Sequence, residues 1–231
     1  DRSPSRGLGD VYKRQGEYNI AIGSYSLDAL TSADSVVAIG YNAGTAVTTG
    51  GESVYIGYAC GDANTEGVKN VGVGSHALGG VTTGDYNIGI GQGALYSPDT
   101  ENHNLAIGES SMSGSVAGGE YNVAIGNYTL DALTTADYNV SVGYGAGSAI
   151  TTSGYNTFVG ANAGLVHTTL AGGAINTGIG YGALTALTTG GENVAVGGNA
   201  GAGLTTAEHT VFIGHNAGDG HDTENENIGI G

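Results

Sequence analysis

The sequence has 231 residues, a formal net charge of −16, 46 glycines and no tryptophan. So acidic a chain repels the phosphates of nucleic acids and of anionic membrane surfaces, and we expect neither as a partner. The one cysteine, Cys60, excludes an internal disulfide, and no apolar run reaches the length of a membrane-spanning helix, so no membrane insertion is predicted.

The first fifteen residues, DRSPSRGLGDVYKRQ, do not fit the pattern of the rest of the chain. Asp10 to Gln15 is what a transposase end used in sequencing libraries encodes, and Ser5 to Gly9 resembles the adapter upstream of it. We therefore interpret residues 1–15 as a translated adapter from a metagenomic assembly or a disordered tail, which would leave the true N-terminus missing. The alternative is a natural basic arm. This stretch holds Asp1, Asp10 and four of the five basic residues. Without it, the chain has 19 of its 21 acidic residues and a single basic residue, Lys69.

From residue 16 onward the sequence is a tandem repeat. Ile-Gly or Val-Gly recurs thirteen times from Gly23 to Gly231, and ten of the twelve intervals are 17 residues long, the others 18 and 20. Such a period predicts one all-β domain over residues 16–231, a parallel β-solenoid (β-roll or β-helix) of about 13 coils. The longer intervals, before Gly126 and Gly180, are predicted to bulge as loops without breaking the stack. Residues 16–34 nearly match residues 119–137, which indicates that six coils were duplicated as a block.

Each coil is predicted to begin with a short strand, because aliphatic residues alternate there with small ones. We expect the residue before each glycine to face inward and the small residues, such as Ala21 and Ala38, to face outward. The predicted core is Ile22, Ile39, Ile56, Val73, Ile90, Ile107, Ile125, Val142, Val159, Ile179, Val196, Ile213 and Ile230.

An asparagine four residues before the glycine is predicted to share the outer face with the small residues. Coils stacked about 4.8 Å apart would align these amides into a hydrogen-bonded ladder with a structural role. Its predicted members are Asn19, Asn70, Asn87, Asn104, Asn122, Asn139, Asn156, Asn176, Asn193 and Asn227.

The second half of each coil reads as turns. The third residue after the glycine is small, the fourth is Leu, Met or Gly, and an apolar residue often follows at the seventh. A Thr-Thr pair and a Gly/Ala-acid turn then lead into the next strand. Cys60 occupies the small third position, so we interpret it as a substitute for alanine without a chemical role.

The strand motif N-x-A-I-G, with Ala or Ser at the third residue after the glycine, resembles the head repeat of trimeric autotransporter adhesins. It is also similar to repeats of phage and bacterial tail-fibre proteins, in which N-x-A-I-G and T-T-G recur. The resemblance covers residues 16–231, although adhesin heads have shorter coils without the L-T-T-G limb. It implies a fragment of a longer, homotrimeric fibre outside the cell, on a cell surface or a virion, with a structural or adhesive role and no catalysis.

The partners predicted with this reading are two further copies of the chain and a host-surface or glycan ligand. Small outer-face residues would let another chain approach closely. Aromatic residues near the start of the strands are candidates for stacking on sugars, with packing between coils as the alternative interpretation. They are Tyr18, Tyr86, Tyr121, Tyr138 and Tyr155.

Patterns in the sequence also suggest three other functions. Threonine pairs recur in register and suggest ice binding, although only one threonine of each pair can join a flat ladder. The I/V-G-x-x-A/S pattern resembles one hexapeptide of the left-handed β-helix acyltransferases, which need about three per turn where one per coil fits here. Residues 99–104 and 222–227 cluster oxygen ligands suited to calcium, but we interpret them as solvated acidic turns. No catalytic residue, metal site or cofactor is predicted.

Overall fold

The computed structural model describes residues 16–97, 100–114, 118–166 and 175–231. Thirteen strands of three residues each form a single parallel sheet in sequence order, and no helix occurs in the described residues. This confirms the predicted β-solenoid. The interpretation of residues 1–15 lies outside the described residues. The strands are β1 (Ile20–Ile22), β2 (Val37–Ile39), β3 (Val54–Ile56), β4 (Val71–Val73), β5 (Ile88–Ile90), β6 (Leu105–Ile107), β7 (Val123–Ile125), β8 (Val140–Val142), β9 (Thr157–Val159), β10 (Thr177–Ile179), β11 (Val194–Val196), β12 (Val211–Ile213) and β13 (Ile228–Ile230).

Equivalent residues of successive coils lie beside one another and form columns along the solenoid axis. Ile22 is paired with Ile39, for example, and Ala38 with Tyr55. The pairing continues across both long intervals, where Leu105 is paired with Val123 and Thr157 with Thr177. The stack is therefore unbroken there, as predicted. The expected bulges fall on residues 115–117 and 167–174, outside the described residues.

Backbone hydrogen bonds join neighbouring coils in the turns as well as in the strands. In the strand half, the Val37 amide donates to the Ser53 carbonyl at 2.9 Å. In the turn half, the Leu27 amide donates to the Ala43 carbonyl at 3.1 Å and the Thr31 amide to the Thr48 carbonyl at 3.0 Å. Each coil is thus attached to its neighbours around much of its circumference, which favours a rigid rod.

The prediction of which strand residues face inward is wrong. The middle residue of the strand is buried: Ala38, Ala106, Ala124 and Ala195 have no exposed surface. The residues predicted as core lie on the outside instead. Six are 36–76% exposed, namely Ile22, Ile56, Ile90, Ile179, Ile213 and Ile230. The others are half-buried, namely Ile39, Val73, Ile107, Ile125, Val142, Val159 and Val196.

The turn half of the coil explains this reversal, because its own side chains fill the narrow interior. Leu78, four residues after its glycine, is fully buried and points at the strands. A Cβ atom added at Gly72 or Gly89 would lie 3.2 or 3.0 Å from a Leu78 methyl carbon. The inward strand residue must therefore be small wherever the opposite wall supplies a leucine.

Three coils have the reverse arrangement, with a large residue in the strand and glycine in the turn. Tyr55, Phe158 and Phe212 occupy the middle of their strands and are buried. The fourth position after the glycine is then Gly61, Gly164 or Gly218, where an added Cβ would come within 2.6 Å of the ring in the same coil. The preceding coil also has glycine at this position, and the following strand has glycine in its middle. Each ring thus fills space that leucine side chains occupy elsewhere.

The glycine that ends each strand is required by the backbone. In this column φ lies between 127° and 142°, a region open mainly to glycine. From Gly23 to Gly214, an added Cβ would also lie within 2.7 Å of the carbonyl oxygen of the next glycine in the column. Both constraints act in every coil from Gly23 to Gly214, which accounts for the regularity of the repeat.

Candidate interaction surfaces

The asparagine column is an internal structural ladder and not an outer surface. Eight of its members, from Asn70 to Asn193, are buried, so the prediction of an outward orientation is wrong. Each Oδ1 accepts the backbone N–H of the next coil at 2.8–3.1 Å, as in Asn87 N–H to Asn70 Oδ1. From Asn122 to Asn193, the Nδ2 of each asparagine also donates to the Oδ1 of the preceding one at 3.0–3.3 Å.

The same amides close each coil on itself. Asn70 Nδ2 donates to the Gly84 carbonyl at 2.8 Å, and Asn193 Nδ2 donates to the Ala207 carbonyl at 2.8 Å. The polar groups of this buried corner are therefore satisfied within the solenoid. The ladder stabilises the rod and leaves no amide facing a partner.

The outward-facing side of the strands is apolar. It consists of the first and third residues of strands β1 to β13, and we call it the Ile/Val face. Of these 26 side chains, 24 are Ile, Val or Leu and two are threonine; none is charged. Several stay exposed, among them Ile90 at 38% and Ile213 at 42%.

The Ile/Val face is large for a soluble monomer. Twelve inter-strand steps of about 4.8 Å give a length of roughly 58 Å, and two residues across give a width of roughly 10 Å. Contiguous apolar patches above a few hundred Å² mark contact sites on most soluble proteins. The absence of charge on this face contrasts with the net charge of −16 of the whole chain.

An aromatic stack borders the face on the side where the strands begin. Its rings are Tyr86, His103, Tyr121, Tyr138 and Tyr155, with successive ring centroids 4.8–5.1 Å apart and ring planes within 16° of parallel. Each ring face is covered by its neighbour, so these side chains pack between coils rather than offering faces to sugars. The amino group of Lys69 lies 5.0 Å from the Tyr86 ring centroid, at one end of the stack. Tyr18, 82% exposed, stands apart from it.

A second aromatic group follows the strands on the opposite side of the face. It comprises Tyr25, Tyr41, Tyr58, His76 and Tyr96, with centroids 5.2–6.0 Å apart and mostly tilted planes. Its four tyrosines are 46–59% exposed. The predicted tyrosines of the first stack are exposed to a similar extent, 44–57%, so the two groups differ in ring geometry and not in exposure.

The two threonines of each pair have different environments. The first donates its hydroxyl to the backbone carbonyl of the equivalent residue in the next coil, as in Thr48 to Thr65 at 3.0 Å and Thr134 to Thr151 at 2.9 Å. The second is exposed in the coils that the structure describes. The outward threonine column is therefore one residue wide, and exposed Glu66 interrupts it.

In the described ranges, no three His, Cys, Asp or Glu residues are grouped so that they could hold a metal ion. Cys60 is buried, and burial raises the pKa of its thiol to about 12. Some acids have structural partners: Asp85 Oδ1 accepts the Val68 amide at 2.7 Å, and Asp137 Oδ1 accepts the Glu120 amide at 2.8 Å.

A scan of family models, a search of curated proteins and a search of solved structures each returned no match. Within the described residues there is also no helix long and apolar enough to cross a membrane.

The Ile/Val face is the main feature that sequence reasoning misplaced. A signal for it was present in the sequence, because aromatic residues in the middle of a strand coincide with glycine at the fourth position after the strand-end glycine. Tyr55 with Gly61 and Phe158 with Gly164 show this compensation. Volumes that compensate each other must share one space, so the middle residues belong inside and the Ile/Val residues outside.

Proposed function

We propose that this chain is a structural or adhesive segment of an extracellular or virion fibre, that it has no catalytic role, and that it works as a homotrimer. The exposed Ile/Val face carries the proposal. An apolar strip of this length is costly to leave in water, and burying it against other chains would recover that free energy. The resemblance of the repeat to adhesin heads and tail fibres points to the same role.

A second copy of the chain is the occupant that fits the face best. The face repeats once per coil spacing, and only a partner with the same repeat can match it along its full length. It carries no charge, so identical acidic chains can meet there without bringing carboxylates into contact. The face area, roughly 600 Å², lies near the 800 Å² per partner of ordinary stable interfaces once the bordering tyrosines contribute.

Three copies suit this surface better than two. Half-exposed aromatic residues border both long sides of the face, so the apolar surface extends around two corners of the coil. A copy that contacts one neighbour with one side and a second neighbour with the other forms a closed three-fold ring.

Light scattering on the full chain tests the proposal, with a trimer as the expected result. Ile90→Glu should shift the population to monomer, because it places a charge on the Ile/Val face. Thr83→Glu is the matched control: it adds the same charge in the exposed threonine column, where Glu66 occurs naturally, and should remain trimeric. A stable wild-type monomer, or equal effects of the two variants, would contradict the proposal.

Ice binding stays a second candidate because of the outward threonine column. That column is narrower than the Ile/Val face, and the hydroxyls of the inner threonines are engaged by the backbone. A measurement of thermal hysteresis on the wild-type chain and on a Thr83→Val/Thr135→Val variant discriminates the two functions. Activity that the variant loses would favour ice binding.

A further inference from the structure

The two threonines of the Ile/Val face stand out from its 24 aliphatic residues. Thr157 begins β9 and Thr177 begins β10, and the two are direct partners in the sheet. Both are half-buried. The structure gives neither hydroxyl a hydrogen bond within the described part of the chain.

The duplicated block shows that valine also fits these positions. In the first copy of the six-coil block the equivalent residues are Val54 and Val71, which are likewise paired with each other. The buried aromatic is retained in both copies, as Tyr55 and Phe158. The interior arrangement is thus kept while the two outward residues differ.

We propose that Thr157 and Thr177 set the axial register of the homotrimer. This inference rests on the proposed function, since it requires the Ile/Val face to be buried between copies. A face made only of equivalent aliphatic columns has weak register specificity, because a slip by one coil loses only one of thirteen overlapping strands. A further element is needed to select one alignment.

Threonine provides that element through its hydroxyl, which both donates and accepts. In the aligned trimer, three copies of Thr157 lie at one height and three copies of Thr177 lie one coil further along. Each set of three hydroxyls can form a closed ring of hydrogen bonds. A copy that slips by one coil brings one of its threonines opposite the other threonine of its neighbour, but its second threonine lies opposite Val140 or Val194, where the buried hydroxyl has no partner. A single polar residue selects the register of coiled coils in the same way.

Disulfide cross-linking between copies reads the register directly. One set of chains carries Val123→Cys and a differently tagged set carries Leu105→Cys. Both positions lie in the column of the threonines, two and three coils before Thr157. These positions are neighbours in adjacent coils, so a cross-link between the two mutants forms only after a one-coil slip. Aligned trimers give only links between identical mutants. Buried Cys60 is replaced by alanine in both sets.

With Thr157 and Thr177 intact, we expect few mixed cross-links. In the Thr157→Val/Thr177→Val background they should rise about tenfold, which corresponds to a register preference of ~1.4 kcal/mol. Thr157→Ser/Thr177→Ser should keep the low level because it retains the hydroxyls. An unchanged level in the valine background, with trimers still present, would overturn this inference alone. The absence of all cross-links, together with a monomeric mass, would overturn the proposed trimer as well.

Discussion

Asn64 occupies the seventh position after its glycine, where the two neighbouring coils have Val47 and Val81. All three side chains are buried, but neither Nδ2 nor Oδ1 of Asn64 has a hydrogen-bond partner. A buried polar group without a partner costs about 1–3 kcal/mol. The third coil is therefore a weak point in an otherwise regular stack.

We predict that Asn64→Val stabilises the protein by about 1–3 kcal/mol, because it removes this desolvation cost and restores the valine column. Urea unfolding followed by circular dichroism measures the change. The reciprocal variant Val81→Asn is the control and should destabilise the protein. A destabilised Asn64→Val would show that Asn64 has a partner that the structure does not contain.

Tyr55 and Cys60 give the same coil a dependence on alkaline pH. Burial raises the pKa of Tyr55 to about 12 from 10.0 and that of Cys60 to about 12 from 9.0. The Tyr55 hydroxyl lies near Ser53 and Asn70 but makes no hydrogen bond of normal geometry. Because the unfolded chain loses these protons first, the stabilisation is complete below pH 9 and is lost as the pH rises towards 12.

We expect the melting temperature of the wild type to fall steeply between pH 9 and 12. A Tyr55→Phe/Cys60→Ala variant should lose much of that dependence, because it removes both titrating groups. Phe158 and Ala77 show that the two replacements fit equivalent sites. Melting curves at several pH values provide the test. Tyr155→Phe, on the exposed stack, is the control. Parallel pH profiles for the wild type and the double variant would contradict the assignment.

At the scale of the coil, an aromatic strand residue and a leucine from the turn compete for one interior volume. We predict that Tyr55→Ala destabilises the protein by about 3–5 kcal/mol, because it leaves a cavity opposite Gly61. Adding Gly61→Leu should recover part of this loss, since Ala124 with Leu130 is the same combination in another coil. Leucine tolerates the backbone there, as Leu78 and Leu130 have φ of 56° and 50° at this position.

The complete double-mutant cycle measures that coupling. Gly61→Leu alone should be severely destabilising, because its side chain would overlap the Tyr55 ring. The two substitutions together should then be much less harmful than the sum of the single effects. Additive effects would show that Tyr55 and Gly61 do not share one space.

The sequence was sufficient to predict the fold but not the orientation of its strands. A fixed period and an Ile-Gly or Val-Gly pair in every coil reveal stacked strands, and the strand-end glycine is explained by its φ and its contact with the next coil. Alternation alone only groups residues into two faces, so Ile39 and Ala38 could each have been inside. Which of the two faces is buried depends on how much space the side chains of the turn half leave in the interior. That space is set by residues outside the strand, such as Leu78 and Gly61.

At the scale of the whole molecule, charge and apolar surface are separated. The Ile/Val face has no charged residue, while the acids occupy the turns around it. Lys69 is the one basic residue after residue 16, and it lies 4.0 Å from Glu52 at an exposed position. In the proposed trimer, copies of the chain would thus attract one another through the face and repel one another through the turns.

This separation predicts that salt strengthens the assembly. The Debye length falls from about 30 Å at 0.01 M salt to about 8 Å at 0.15 M, so repulsion between the acidic turns is screened while the apolar contact persists. Sedimentation measured over a concentration series should show the trimer forming at lower protein concentration as NaCl is raised. Acidification towards pH 4 should act in the same direction, because it neutralises carboxylates and burial raises the pKa of Asp62 and Asp131. A trimer that dissociates as salt is raised would instead be held by ion pairs, and that result would contradict an interface built from the Ile/Val face.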